Sequence, residues 1–280
     1  MKKTKKLLSL FKFIKLKKQM KIFEIKGVTK TNHEVLFSLH NKSLIIVDTN
    51  SILSETIIGS IYSVLQFQKQ IKKGNEGWDS INIFLSDGTQ LESLSVKTLL
   101  SHSLLPKYNT NHKYAYLPAL CCEKTHDFHQ SYDTLDNWYK TWERDICMAI
   151  DIHSTSTKGT CLFVELVNQC LEGYNIGFDS YLFFQDMKGN STTFRKLPRN
   201  IKAWLRYMFY AIICKGKEVL LLEHPETQLN ILQQRVLLST IKKIVDTDVQ
   251  FVVLTNSPFI FDNEYDKCAT SLEVNALIQK

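Results

Sequence analysis

Residues 219–229 read VLLLEHPETQL, which is the most informative stretch of the chain. The unbroken apolar run at 219–222 is typical of a strand buried on both faces of a sheet. Polar residues follow at once, and Glu223 and His224 occupy the position at the strand's carboxyl end. Two acidic side chains at such a position typically face a metal-bound nucleotide. Here the tip carries one carboxylate and one imidazole instead.

A second apolar run, residues 249–254, leads into the turn Thr255-Asn256-Ser257-Pro258. The residues between the two runs have the pattern of a helix, which we predict at 231–245. A strand, a helix and a second strand in this order form a unit whose short crossover implies that the two strands run parallel.

This unit resembles the carboxyl half of the ABC-type ATPase domains of the RecF, SMC and OLD kind, whose strands end in Asp-Glu-Pro-Glu and Thr-His-Ser-Pro. The resemblance implies an α/β P-loop NTPase fold with a mainly parallel central sheet, an antiparallel sub-sheet and flanking helices. Glu223 stands where the family has Asp, and His224 where it has the carboxylate that polarises water. Asn256 stands where the family has a histidine that senses the γ-phosphate.

The resemblance also implies a phosphate loop near the start of the chain, between a strand at 44–47 and a helix at 57–65. The family loop reads Gly-x-x-x-x-Gly-Lys-Ser/Thr, in which backbone N–H groups and the lysine hold phosphates. The residues here are Asp48 and Leu53 for the glycines, Ser54 for the lysine and Glu55 for the hydroxyl residue; Asn50 and Thr56 complete the loop. Added side chains and negative charge both oppose phosphate binding. We therefore expect neither ATP nor magnesium as a cofactor.

The family's third motif, Leu-Ser-x-Gly-x-x-Gln, corresponds to residues 197–200, Leu197-Pro198-Arg199-Asn200. Proline offers neither a hydroxyl nor an N–H group, so this turn is not expected to complete a partner's nucleotide site. Four basic residues around it are candidates for contacts with acidic groups of a protein partner: Arg195, Lys196, Arg199 and Lys202. Simple solvation of these charges is the alternative.

Nine lysines and no acidic residue lie within residues 1–21, so the net charge of +7 leaves about −2 for the rest of the chain. Apolar residues alternate with these lysines in a pattern typical of an amphipathic helix. We predict a basic arm at 1–20 and a single domain at 21–280, with a helical insertion at about 123–158. The arm has three possible roles: docking to protein, peripheral contact with an anionic membrane, or contact with nucleic-acid phosphates.

Seven cysteines without a C-x-x-C pair indicate reduced thiols and a cytoplasmic location. No apolar run is long enough to span a bilayer, and no signal peptide is recognised. Cys121, Cys122, His126 and His129 invite a zinc site. Adjacent cysteines on a strand point to opposite faces, however, so a buried thiol beside surface histidines is preferred and no metal is expected.

These observations favour a catalytically inactive, ABC-ATPase-like accessory or scaffold subunit of a hetero-complex. The resemblance further implies a setting such as bacterial antiphage defence or toxin–antitoxin systems. Two alternatives stay open. One is a divergent active ATPase in which Glu223 holds magnesium and His224 acts as the base, and the other is a nucleic-acid-binding module that uses the lysine-rich arm.

Overall fold

The structure is a computed structural model that describes residues 21–29, 32, 34–40, 42–47, 52–67, 78–94, 113–117, 134–156, 162–245, 248–260 and 269–271. Its strands are β1 (Ile22–Thr29), β2 (Glu34–Ser38), β3 (Leu44–Val47), β4 (Trp78–Leu85), β5 (Gln90–Leu94), β6 (Tyr114–Leu117), β7 (Tyr174–Phe178), β8 (Leu182–Asp186), β9 (Ser191–Thr192), β10 (Val219–Glu223), β11 (Gln250–Thr255) and β12 (Ala269–Ser271). Its α-helices are α1 (Ile52–Phe67), α2 (Thr134–Ser156), α3 (Leu162–Asn168), α4 (Arg199–Ile213) and α5 (Ile231–Val245), and a 3-10 helix spans Phe194–Lys196.

The central sheet is parallel and has the strand order β12-β3-β11-β10-β6 among the described residues. β10 and β11 are neighbours in it, with Val219 opposite Gln250 and Glu223 opposite Leu254. This confirms the predicted strand-helix-strand unit and places the ends of both strands at one edge. Two antiparallel sheets, β2-β1-β4-β5 and β7-β8-β9, complete the mixed α/β architecture.

Side chains of the central strands alternate between two hydrophobic clusters. Leu220 and Leu222 face the cluster formed with α2, α4 and α5, whereas Val219 and Leu221 face the cluster formed with α1 and the four-stranded sheet. Because both faces are covered, the central strands are apolar at consecutive positions over most of their length rather than at every second position. This coverage explains why their sequences show continuous apolar runs.

Gln250 joins the two large sheets through its side-chain amide. Its Oε1 accepts the Ile22 N–H at 2.7 Å, and its Nε2 donates to Ile22 O at 2.8 Å and to Lys42 O at 2.6 Å. The amide therefore pairs with β1 as a strand backbone would, and it satisfies three polar groups at a buried junction. An ion pair between Lys21 and Asp248 lies beside it.

β4 and β5 form a hairpin around the turn at Asp87-Gly88, where Gly88 has φ 89°. α1 begins at Ile52 rather than at the predicted residue 57, because no glycine interrupts residues 52–56. α2 lies within the segment 123–158. The basic arm, the zinc candidates and the rest of the insertion outside α2 lie outside the described residues. None of the described helices has the length and apolarity needed to cross a membrane.

Candidate functional site

The tip of β10 is a tight turn that begins at His224 and ends at Gln228. His224 has φ 43° and Gln228 has φ 69°, a left-handed conformation that is uncommon for residues with a side chain. The His224 N–H donates to Leu254 O at 2.8 Å, which extends the pairing of β10 with β11 by one residue. The turn therefore starts from a fixed position on the sheet.

Glu226 is the central residue of this tip. Its Oε2 accepts the Thr255 hydroxyl at 2.7 Å, its Oε1 accepts the Asn256 N–H at 2.8 Å, and the same Oε1 lies 3.3 Å from His224 Nδ1. Burial raises the pKa of the Glu226 carboxyl, but the bonds from the His224 ring, the Asn256 N–H and the Thr255 hydroxyl outweigh burial. They hold its pKa below the usual 4.5, so Glu226 is ionised at neutral pH.

Glu223, the last residue of β10, contacts the edge strand. Its Oε2 accepts the Tyr116 hydroxyl at 2.7 Å, and the Tyr116 ring packs against Tyr62 of α1 with ring centroids 5.0 Å apart. Burial, followed by the nearby Cys214, raises the pKa of Tyr62. Sequence reasoning missed Tyr116, because only the order of the strands reveals that β6 runs beside β10.

The turn after β11 is fixed to both the tip and α5. Asn256 is exposed, and its backbone N–H, rather than its side chain, makes the contact with Glu226. Ser257 donates its hydroxyl to Gln234 Oε1 of α5 at 2.6 Å, and the Ser257 N–H donates to Thr255 Oγ1 at 3.0 Å. The structure thus brings Glu223, His224 and Asn256 to one edge of the sheet.

The predicted phosphate loop is only partly within the described residues. Asp48 and Asn50 lie outside them, whereas the backbone at 53–56 forms the first turns of α1. This backbone is already helical at Leu53, the position at which the family loop has its second glycine. The side chains of this segment lie outside the described residues as well.

The predicted third motif lies where the 3-10 helix Phe194–Lys196 meets α4. Leu197 is buried, and Pro198, with φ −58°, is the residue that precedes the first turn of α4. Arg199 is exposed and Asn200 half-buried, both at the start of the helix.

Of the four basic residues proposed for partner contacts, Arg195, Lys196 and Arg199 are exposed, but Lys202 is not. Only 4% of Lys202 is exposed, and its Nζ lies 2.9 Å from Asp136 Oδ1 on α2. The prediction for Lys202 was wrong because this residue is on the face of α4 that packs against α2. Its charge is neutralised inside the protein, where no partner reaches it.

Comparison with solved structures identifies the fold. An SMC head domain bound to the C-winged-helix domain of ScpA superposes with a TM-score of 0.52 at 12% sequence identity, covering 86% of this chain and 91% of that one. This chain has the fold of an SMC head domain. The SMC head domain from Thermotoga maritima covers the same shares at a TM-score of 0.48 and 11% identity. No protein-family model matches the chain, and no curated protein sequence matches it.

Proposed function

We propose that this chain is a pseudo-ATPase, an ABC-ATPase-like domain that does not hydrolyse ATP and acts as an accessory or scaffold subunit of a protein complex. The observation that carries the proposal is that the carboxylates of Glu223 and Glu226, at the tip of β10, already accept hydrogen bonds from the protein. Both oxygens of Glu226 accept protein donors, and one oxygen of Glu223 accepts the Tyr116 hydroxyl. These contacts use the carboxylates to hold the tip together.

The same contacts argue against a magnesium nucleotide. Magnesium requires near-octahedral oxygen ligands and in nucleotide sites takes most of them from carboxylates, phosphates and water. At the tip, Glu223 already accepts the Tyr116 hydroxyl and both oxygens of Glu226 accept protein donors, so a magnesium ion would compete with these contacts. The sequence of the phosphate loop, without its lysine and glycines, supports the same proposal.

A domain with this fold can contact a partner protein without binding a nucleotide. The SMC head domain that this chain resembles was solved bound to the C-winged-helix domain of ScpA, a protein partner. We propose a hetero-complex for this chain on that basis. The proposal includes a cytoplasmic location, and the family resemblance is the support for a role in bacterial antiphage defence or toxin–antitoxin systems.

Titration of the full-length chain with labelled ATP and magnesium tests the proposal. We expect no saturable binding up to millimolar ATP, and phosphate release no faster than that of Glu223→Gln and His224→Ala variants. A catalytically active SMC head domain serves as the positive control. Saturable binding, or hydrolysis that either substitution abolishes, would show that the chain is an ATPase.

One observation favours a divergent active enzyme as the second candidate. His224 Nδ1 lies 3.3 Å from Glu226 Oε1, and both side chains are mostly buried, at 18% and 15% exposure. A carboxylate in that position orients an imidazole that acts as a base. If this candidate were correct, His224→Gln would remove the hydrolysis while leaving ATP binding intact. The pseudo-ATPase predicts that neither activity is present to be lost.

A further inference from the structure

Three exposed cations lie within five residues of one another: Arg195, Lys196 and Arg199, which together we call the basic turn. Within the described residues, none of the three forms an ion pair. No acidic residue is present in the 3-10 helix or in the first turn of α4. Among the described residues, the cations of the basic turn are therefore not paired with a carboxylate, whereas Lys202 is paired with Asp136.

The basic turn rests on a rigid base. Phe194 is buried, and its ring stacks on Tyr139 of α2 with centroids 4.2 Å apart and an interplanar angle of 8°. Leu197 is buried next to it, and the Lys202–Asp136 ion pair ties the start of α4 to α2. The backbone that carries the three cations is thus held in place before any ligand binds, which lowers the entropy lost on binding.

The exposed side chain of Tyr181 lies at the same end of the β7-β8-β9 sheet as the basic turn. Phe184 of β8 is opposite Thr192 of β9, so residues before Phe184 and residues after Thr192 lie at the same end of this pair of strands. Tyr181, which is 65% exposed, immediately precedes β8 at that end, and the basic turn follows β9 there. A partner segment on the basic turn therefore has an aromatic ring within reach of it.

We propose that the basic turn binds an acidic peptide segment of a partner protein. This inference rests on the proposed function, since it names the chemistry that the partner presents. Arginine guanidinium groups bind carboxylates through two parallel hydrogen bonds, and two of the three cations are arginines. Nucleic-acid surfaces commonly neutralise about six to ten phosphates, so three cations suit a short run of carboxylates better than a duplex.

Fluorescence anisotropy of a labelled Glu-rich peptide, with the full-length chain at low salt, tests the proposal. The triple variant Arg195→Glu/Lys196→Glu/Arg199→Glu should weaken binding about tenfold or more. Two controls carry the same change in net charge, Lys42→Glu/Lys188→Glu/Lys243→Glu at exposed positions outside the basic turn and Lys2→Glu/Lys3→Glu/Lys5→Glu in the arm. Both should bind within about twofold of the unmodified chain, because a charge outside the binding site contributes little.

Further variants separate charge from geometry. Arg195→Lys/Arg199→Lys keeps the charge but loses the paired hydrogen bonds, so its affinity should fall between those of the unmodified chain and the triple variant. Arg195→Gln/Lys196→Gln/Arg199→Gln serves if the triple Glu variant unfolds. Equal loss in the arm variant and the basic-turn variant would overturn the proposal. So would loss of binding to a single-stranded oligonucleotide without loss of peptide binding, which would assign the turn to nucleic acid.

The outcome is separable from the test of the pseudo-ATPase. If ATP is hydrolysed and the peptide still requires the basic turn, the binding surface stands and the proposed loss of catalysis fails. If ATP is neither bound nor hydrolysed and the peptide ignores the basic turn, this surface is refuted and the proposed function stands.

Discussion

Replacing Glu226 by Gln tests whether the tip of β10 is structural. The carboxylate accepts the Thr255 hydroxyl at 2.7 Å and the Asn256 N–H at 2.8 Å. In the variant, the amide oxygen keeps one donor and the amide nitrogen faces the other, but the charge is lost. Hydrogen bonds to a charged group contribute about 1 kcal/mol more than neutral ones. Two such bonds predict a loss of about 2 kcal/mol in the free energy of unfolding.

Glu226→Ala should cost more, about 3–4 kcal/mol, because it leaves the fully buried Thr255 hydroxyl without its acceptor. Urea unfolding followed by circular dichroism measures both losses. In thermal unfolding, each kcal/mol corresponds to a midpoint shift of roughly 2–4 °C for a domain of this size. Glu172→Gln, at an exposed position, is the matched control and should change stability by less than about 0.5 kcal/mol.

The stability difference between the unmodified chain and Glu226→Gln should depend on pH, whereas a purely steric effect of the substitution would not. The pKa of Glu226 is held below 4.5 in the folded chain, so the unfolded chain takes up the proton first as the pH falls. The stabilisation is complete above 4.5 and is lost as the pH falls through the folded pKa. The difference between the unmodified chain and Glu226→Gln should therefore shrink in acid. A difference that stays constant or grows, or a neutral-pH loss below about 0.5 kcal/mol, would refute the reasoning.

Two further substitutions test the scaffold around the site. Gln250→Met keeps the side-chain volume but removes three hydrogen bonds, so the free energy of unfolding should fall by about 3 kcal/mol. The control Gln185→Met should lower it by less than about 0.5 kcal/mol. Equal losses in the two variants would contradict the role of Gln250 in joining the two sheets. Lys202→Glu places a second carboxylate beside the buried Asp136 and should cost about 3–5 kcal/mol, whereas Arg199→Glu should be nearly neutral. Equal stability of these two variants would show that the ion pair is absent.

The elements that the sequence predicted well are those whose burial leaves a local pattern. β10, α5 and β11 agree with prediction to within a residue or two, because strands covered on both faces are apolar throughout and the helix between them keeps its own period. The resemblance supplied the parallel sheet and the antiparallel addition. The resemblance itself rested on motifs that lie near the ends of the strands.

The contacts that define the tip could not be predicted in the same way. Glu226 was inside the quoted stretch, but its partners Thr255 and Asn256 follow 29 and 30 residues later, and Tyr116 precedes Glu223 by 107 residues. Such pairs depend on strand order and register, which no local periodicity contains. The wrong prediction for Lys202 has the same cause, because its burial depends on the packing of α2 against α4, which the local sequence does not reveal.

The strained backbone at the tip supports a structural role for Glu226. A non-glycine residue in the left-handed region costs on the order of 1 kcal/mol or more, and both His224 and Gln228 adopt it. That conformation persists only where surrounding contacts over-determine it. Here the His224 N–H is fixed by Leu254 O, and the Glu226 carboxylate between the two strained residues is held by three donors from β11 and from the tip itself. The carboxylate therefore offsets the strain by joining β10 to the turn after β11. Because this stabilisation comes from protein contacts alone, we expect the tip to keep its shape without a nucleotide.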